Sequence, residues 1–245
     1  MIVSIHQPQY FPWCGYFDKM QKSDLFILLD MVSYVKGGKM NRNKVLDQNG
    51  VIQFITISGD LKNHLNREFR SIQTKNVEEW TSRQFNALAN YYKKAPFRDE
   101  ILGLLQVFFS KRYETVCQWS CASIELVRDI LEIKTPIAYQ SDLEYDRSSR
   151  KSDLIYAICK TAGADVYFSG RGASTEYLDR EKFAAGQIQI AFQDFQQPVY
   201  RQCSSREFVP GISILDMLFN RGIEESRRIF WENVRSTHEF EEIGE

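Results

Sequence analysis

Several things are scarce in this chain of 245 residues. It carries almost no net charge: 31 Lys and Arg balance 32 Asp and Glu, leaving −1. General nucleic-acid binders are usually basic, so that class is disfavoured and no nucleic-acid partner is expected. No run of about 18 apolar residues occurs, so no transmembrane helix and no membrane partner are expected. The N-terminus, Met1-Ile2-Val3-Ser4-Ile5-His6, has no positive start, no long apolar centre and no small-residue cleavage site. It does not read as a signal peptide. The five cysteines (Cys14, Cys117, Cys121, Cys159 and Cys203) are odd in number and widely spread. A disulfide framework looks different, and a reduced, cytoplasmic protein fits better. Histidine is limited to three positions: His6, His64 in a polar loop and His238 in an expected frayed tail.

What remains is an ordinary globular composition, 43% apolar and 26% charged. The length suits one sizeable core, and residues 1–245 read as a single α/β domain. Ile2 to His6 forms a first strand. Pro12 suits the first turn of a helix that runs on to Gln21. Leu25-Phe26-Ile27-Leu28-Leu29 is a continuous apolar run of the kind found in parallel strands buried on both faces. Tyr34 to Lys44 reads as a loop or strand edge, followed by a turn at Asn49-Gly50 and a strand from Val51 to Ser58. Residues 76–134 carry three amphipathic helices and form a mostly helical insert or subdomain. Alternation then resumes with a strand at 136–139 and a helix at 151–162 closed by Gly163. Strands at 165–168 and 188–192 come next, then helices at 213–220, ending at Gly222, and at 224–234. Strand–helix alternation broken by a helical insert predicts a mainly parallel, Rossmann-like sheet.

His6 is the first chemical candidate. It falls at the carboxyl end of a strand and just before a helix, where open α/β sheets gather ligands and helix N-termini favour anions. A histidine there can act as acid or base near neutral pH, or simply cap the strand. Lys36, Lys39, Arg42 and Lys44, with Asn41 and Asn43 between them, form a segment able to clamp phosphate or carboxylate. The plainer reading is a solvated loop. Asp30, at a strand end, could hold a metal or orient a base. Ser169-Gly170-Arg171-Gly172-Ala173-Ser174 offers backbone N–H groups to an anion. It lacks the third glycine of a dinucleotide fingerprint and the Gly-Lys-Ser/Thr of a Walker loop. Near the last helix, Tyr200-Arg201-Gln202 reads as structural, and Ser213 with Asp216 reads as a helix-capping box. Cys117 and Cys121 share a helix face, but no further Cys/His pair completes a zinc site, so no metal is assigned. Cys14 reads as a buried thiol. There is no Gly-x-Ser-x-Gly elbow, which disfavours an α/β-hydrolase.

Taken together, several segments resemble the WbqC-like family of bacterial proteins. They include Ile5-His6-Gln7-Pro8-Gln9-Tyr10-Phe11-Pro12-Trp13, Gly15-Tyr16-Phe17, Asp30, Tyr34, Lys36 and Asn41-Arg42-Asn43. Tyr167-Phe168-Ser169-Gly170, Tyr177-Leu178-Asp179, Phe192-Gln193-Asp194-Phe195 and Ser213-Ile214-Leu215-Asp216 follow in order. The resemblance implies a cytoplasmic enzyme of bacterial surface-polysaccharide (O-antigen, lipopolysaccharide) biosynthesis. It implies transfer of an acyl or aminoacyl group, such as glycyl, to the amine of a nucleotide-linked amino sugar. The donor would be a coenzyme A thioester, a carrier protein or an activated amino acid.

On that reading the catalytic set is His6, Asp30 and Asn43, with His6 as base. Gln7, Asn43 or the backbone near Gly170 would act as oxyanion donors. Lys36, Arg42 and Arg171 would grip phosphates, and Tyr10 or Trp13 would stack on a base or sugar. Lys39, Ser169, Gly170 and Tyr177 complete the substrate-binding set. One alternative is an ATP-dependent adenylylating enzyme, a nucleotidylyltransferase or ligase in which His6 and Lys39 hold the phosphates and magnesium is expected. The paired histidines usual there are missing. A non-catalytic nucleotide-sugar-binding accessory protein is a third reading. All share one geometric requirement: positions 6, 42 and 171 must meet in one pocket.

Overall fold

A computed structural model describes residues 1–61, 67–171 and 177–236. Five strands form an all-parallel sheet: β1 (Ile2–His6), β2 (Leu25–Leu28), β5 (Ile137–Tyr139), β6 (Val166–Ser169) and β7 (Gln189–Phe192). The spatial order is β5-β2-β1-β6-β7. Counting only these strands, the order is third, second, first, fourth, fifth, the arrangement of a Rossmann-like doubly wound fold. The first strand lies at the centre, and the chain winds to opposite sides of it. The crevice between the carboxyl ends of β1 and β6 is therefore the topological switch point.

The apolar runs explain why these segments pair in parallel. In β1, Val3 and Ile5 are buried with Ile27 and Leu29 on one face, under α5 (Lys151–Ala162) and α6 (Arg180–Ala185). Phe26 and Leu28 face the other layer, which starts with α1 (Cys14–Gln21). Strands covered on both faces need apolar side chains in both directions, which is what the continuous runs supply. The one polar side chain inside β1, Ser4, is satisfied: its Oγ donates to the Phe168 carbonyl at 2.8 Å and accepts from Ser23 Oγ.

The insert folds as α2 (Val77–Tyr91), α3 (Arg98–Ser110) and α4 (Val116–Ile130). Trp80, Leu105, Trp119 and Ile124 are buried in one core together with Phe17 and Met20 of α1. The α4 start is fixed by a capping box between Thr115 and Gln118. Gly163 closes α5 in the left-handed region, φ 69°. Arg42–Leu46 (β3) and Ile52–Thr56 (β4) form a separate antiparallel hairpin.

Of the loop or strand edge expected at 34–44, the end is strand: Arg42, Asn43 and Lys44 belong to β3. The short helix α6 carried no sequence signal that was read. The two helices expected around Gly222 are there, on either side of a break in the run Ile214–Ser236 (α7): Gly222, with φ 71° and ψ 178°, is not helical, and a Cβ there would sit 2.5 Å from the Phe97 ring. Asp216 is not a capping-box acid: its buried carboxylate accepts from Tyr92 at 3.0 Å, and from Tyr200 and Gln202 at 2.9 Å. Among the described residues no helix is long and apolar enough to cross a membrane.

Candidate functional site

Two cavities of about 270 and 330 Å³ open at the switch point and share His6, Lys19, Gly170 and Arg171 as walls. His6 ends β1 and is only partly buried. Its Nδ1 lies 2.9 Å from the Gln7 carbonyl. A carbonyl can only accept, so Nδ1 carries the hydrogen and Nε2 keeps its lone pair. Tyr16 meets the imidazole edge-on at 4.7 Å and donates its own hydroxyl to the same Gln7 carbonyl at 3.2 Å. Burial first, and the nearby Lys19 charge second, push the His6 pKa down to about 3. The ring is neutral at physiological pH.

Lys19 was not read from the sequence as a candidate. It is 3% exposed, and its Nζ donates to the Ile5 carbonyl at 3.0 Å. Burial pulls its amine down to about 7. Its neighbour Asp18 faces a different partner set: Gln193 Nε2 at 2.7 Å and Lys22 Nζ at 3.1 Å. Gln193 also donates to the Gly15 carbonyl at 2.8 Å, tying the end of β7 to the start of α1. Trp13 forms one wall, packed edge-on against Phe195 at 5.1 Å, with the Lys39 ammonium 5.5 Å from its ring centre. Gly15 makes room for that indole, because a Cβ at position 15 would come within 2.5 Å of it.

Thus β1, α1 and the segments after β6 and β7 bring together His6, Gln7, Trp13, Ser169, Gly170, Arg171 and Tyr177, all of them expected from the sequence. Lys39 lies over the Trp13 ring and lines neither cavity. Lys36 is exposed and lines neither cavity. Arg42 lines neither cavity; its guanidinium donates to the Gly37 carbonyl at 3.0 Å and lies 4.5 Å from the Phe54 ring centre. Of positions 6, 42 and 171, only 6 and 171 meet.

Tyr10 is fully buried, and its hydroxyl accepts from Gln84, so it stacks on core rather than on ligand. Asn43 holds backbone: its amide donates to the Tyr10 and Phe11 carbonyls at 3.1 and 2.9 Å, and its Oδ1 accepts from the Lys44 N–H. Asp30 belongs to a separate cavity of about 500 Å³, with Glu125, Tyr139 and the paired Cys117 and Cys121, whose sulfurs are 3.9 Å apart. Its Oδ1 accepts from the Ser141 N–H at 3.0 Å. His64, His238 and Gly172-Ala173-Ser174 lie outside the described residues.

A model of the WbqC-like protein family matches residues 7–228. The chain belongs to the WbqC-like family. The matched span takes in Lys19, Arg171 and Gln193, and His6 immediately precedes it. A similar relative is the uncharacterized protein Rv1507c of Mycobacterium tuberculosis, 29% identical over 224 residues, which are 91% of this chain and 94% of that protein. No solved structure matches. Within this WbqC-like chain, Gln193 and Phe195 were visible in the sequence as part of the family segment at 192–195. Lys19 had no such marker: a lysine in a helix beside an aspartate reads as solvent-facing.

Proposed function

We propose that this chain is a cytoplasmic transferase of surface-polysaccharide building that binds a nucleotide-linked amino sugar at the switch point. There it moves an acyl or aminoacyl group, glycyl being the simplest, onto the sugar amine. The supporting observation is the convergence of His6, Lys19 and Arg171 on one crevice beside the Trp13 wall. Cationic groups at the carboxyl ends of parallel strands suit a diphosphate, and an indole face suits a sugar or base. In the reaction the amine nitrogen attacks the donor carbonyl. A C–N bond forms, the bond from carbonyl carbon to the thioester sulfur or phosphate oxygen breaks, and the nitrogen loses a proton. His6 Nε2, oriented by the Nδ1–H bond to Gln7, is placed to take that proton.

The test is incubation of the purified chain with nucleotide-linked amino sugars and with acyl-coenzyme A, acyl-carrier and aminoacyl donors. A mass gain equal to the acyl group on the sugar nucleotide supports the reading. Pyrophosphate release from ATP without such a product would favour adenylylation instead. A second reading, binding without turnover, is favoured by one observation: an imidazole whose pKa is down at about 3 is a weak proton acceptor. Tight sugar-nucleotide binding with no product from any donor would select it.

A further inference from the structure

Lys19 is a buried cation in unusual surroundings. Its ammonium has three N–H groups, and among the described residues the Ile5 carbonyl is the one acceptor it meets. No carboxylate of the described residues lies within ion-pair distance of it, since Asp18 is turned to Lys22 and Gln193. Burying a cation without a counter-charge is expensive, and chains keep such a residue where something else supplies the negative charge. Lys19 lines both cavities of the switch point. The start of α1 faces the same space through Trp13 and Gly15, with no side-chain cap and no acid in its first turn.

The charged and titratable groups facing this space come from every surrounding element. His6 comes from β1, Tyr167 and Arg171 from β6 and its extension, Asp194 from after β7, Tyr177 from before α6, and Tyr16 from α1 itself. Among the described residues Asp194 is the one acid lining this space.

We propose that Lys19 is the phosphate-holding residue of this crevice: its ammonium closes on a phosphoryl oxygen of the ligand alongside Arg171, and ligand entry draws a proton from solvent onto the buried amine. The choice of a sugar nucleotide as ligand rests on the proposed function; the phosphate grip does not. With its amine held near 7, Lys19 is largely neutral at pH 8 in the empty crevice. An anion at hydrogen-bond distance restores the charge, so binding and proton uptake are linked.

The experiment is calorimetric titration of the full chain with UDP at pH 8, in two buffers of different ionisation heat, with dTDP and inorganic pyrophosphate as further probes. UDP is fully deprotonated there, so the proton goes to the protein. The wild type takes up close to one proton per UDP, and affinity falls toward tenfold per pH unit as pH rises above about 7. Lys19→Met binds at least about tenfold more weakly with no uptake, and Lys19→Arg binds without uptake. Equal affinity and equal uptake in Lys19→Met would overturn the proposal, as would the absence of binding by all three probes at millimolar concentration.

Should either variant fail to fold by circular dichroism, ¹⁵N detection of the Lys19 amine in the wild type decides. UDP raises its titration midpoint, and an unmoved midpoint overturns the proposal. Lysine-dependent UDP binding without acyl transfer would leave the phosphate site standing and remove the transferase reading. Acyl transfer unaffected in Lys19→Met would do the reverse.

Discussion

The Trp13 indole lies directly against Gly15: a Cβ at position 15 would approach the ring to 2.5 Å. The wall of the crevice is therefore set by the absence of a side chain at the second residue of α1. Gly15→Ala forces the ring off its contact with Phe195. The expected result is about 1–3 kcal/mol lost stability, the range for overpacking, together with weakened sugar-nucleotide binding. Thermal melting and calorimetry check it; a variant unchanged in both would show that Trp13 yields freely.

His6 refuses a proton that the unfolded chain accepts. Its native pKa is near 3 against 6.5 for a free side chain, so stability is full above about 6.5 and falls as pH drops toward 3. Replacing it with Asn flattens that acid limb in denaturant titrations across pH 3–7. If His6 is the base, the same change lowers turnover by roughly a hundredfold or more. Near-normal turnover removes it from that role.

For Lys19 the sign is the same, in a higher pH window. The native amine releases its proton near 7 and the unfolded one near 10.5, so the penalty of burial is greatest below pH 7 and fades as pH rises through 10.5. Lys19→Met raises the Tm at pH 6, and the gain is smaller at pH 9. A gain independent of pH would mean the substitution acts through packing alone.

Asn43 joins the hairpin to a backbone turn at Phe11, whose φ is 40°. Asn43→Ala leaves two buried carbonyls without that donor and lowers stability by about 1–3 kcal/mol. Turnover per folded molecule is retained, because Asn43 lines neither switch-point cavity. Loss of turnover in fully folded protein would return Asn43 to the chemistry.

Much of the fold was written locally. The apolar runs at 25–29 and 165–168 name strands covered on both faces, and Gly163 names a helix end. His6 and Gly170 were found because strand ends can be located from such runs. What could not be read depends on which way a side chain turns once distant segments pack. Lys19 and Asp18 are adjacent and both buried, yet one faces the crevice and the other faces Lys22 and Gln193. Tyr10 and Asn43 looked like ligand-binding groups, but their polar atoms are taken by Gln84 and by backbone carbonyls. Arg42, embedded in a cationic run, is drawn to the Phe54 face of its own hairpin. Asp30 follows β2, one strand from His6, and its carboxylate turns into the neighbouring cavity.

A crystal structure of the chain with a nucleotide-linked amino sugar tests the central claim most directly. The expected map shows the diphosphate between Lys19 and Arg171, with the sugar or base against Trp13. Density for the diphosphate beside Asp30 and Glu125, with the switch-point crevice unchanged, would contradict it.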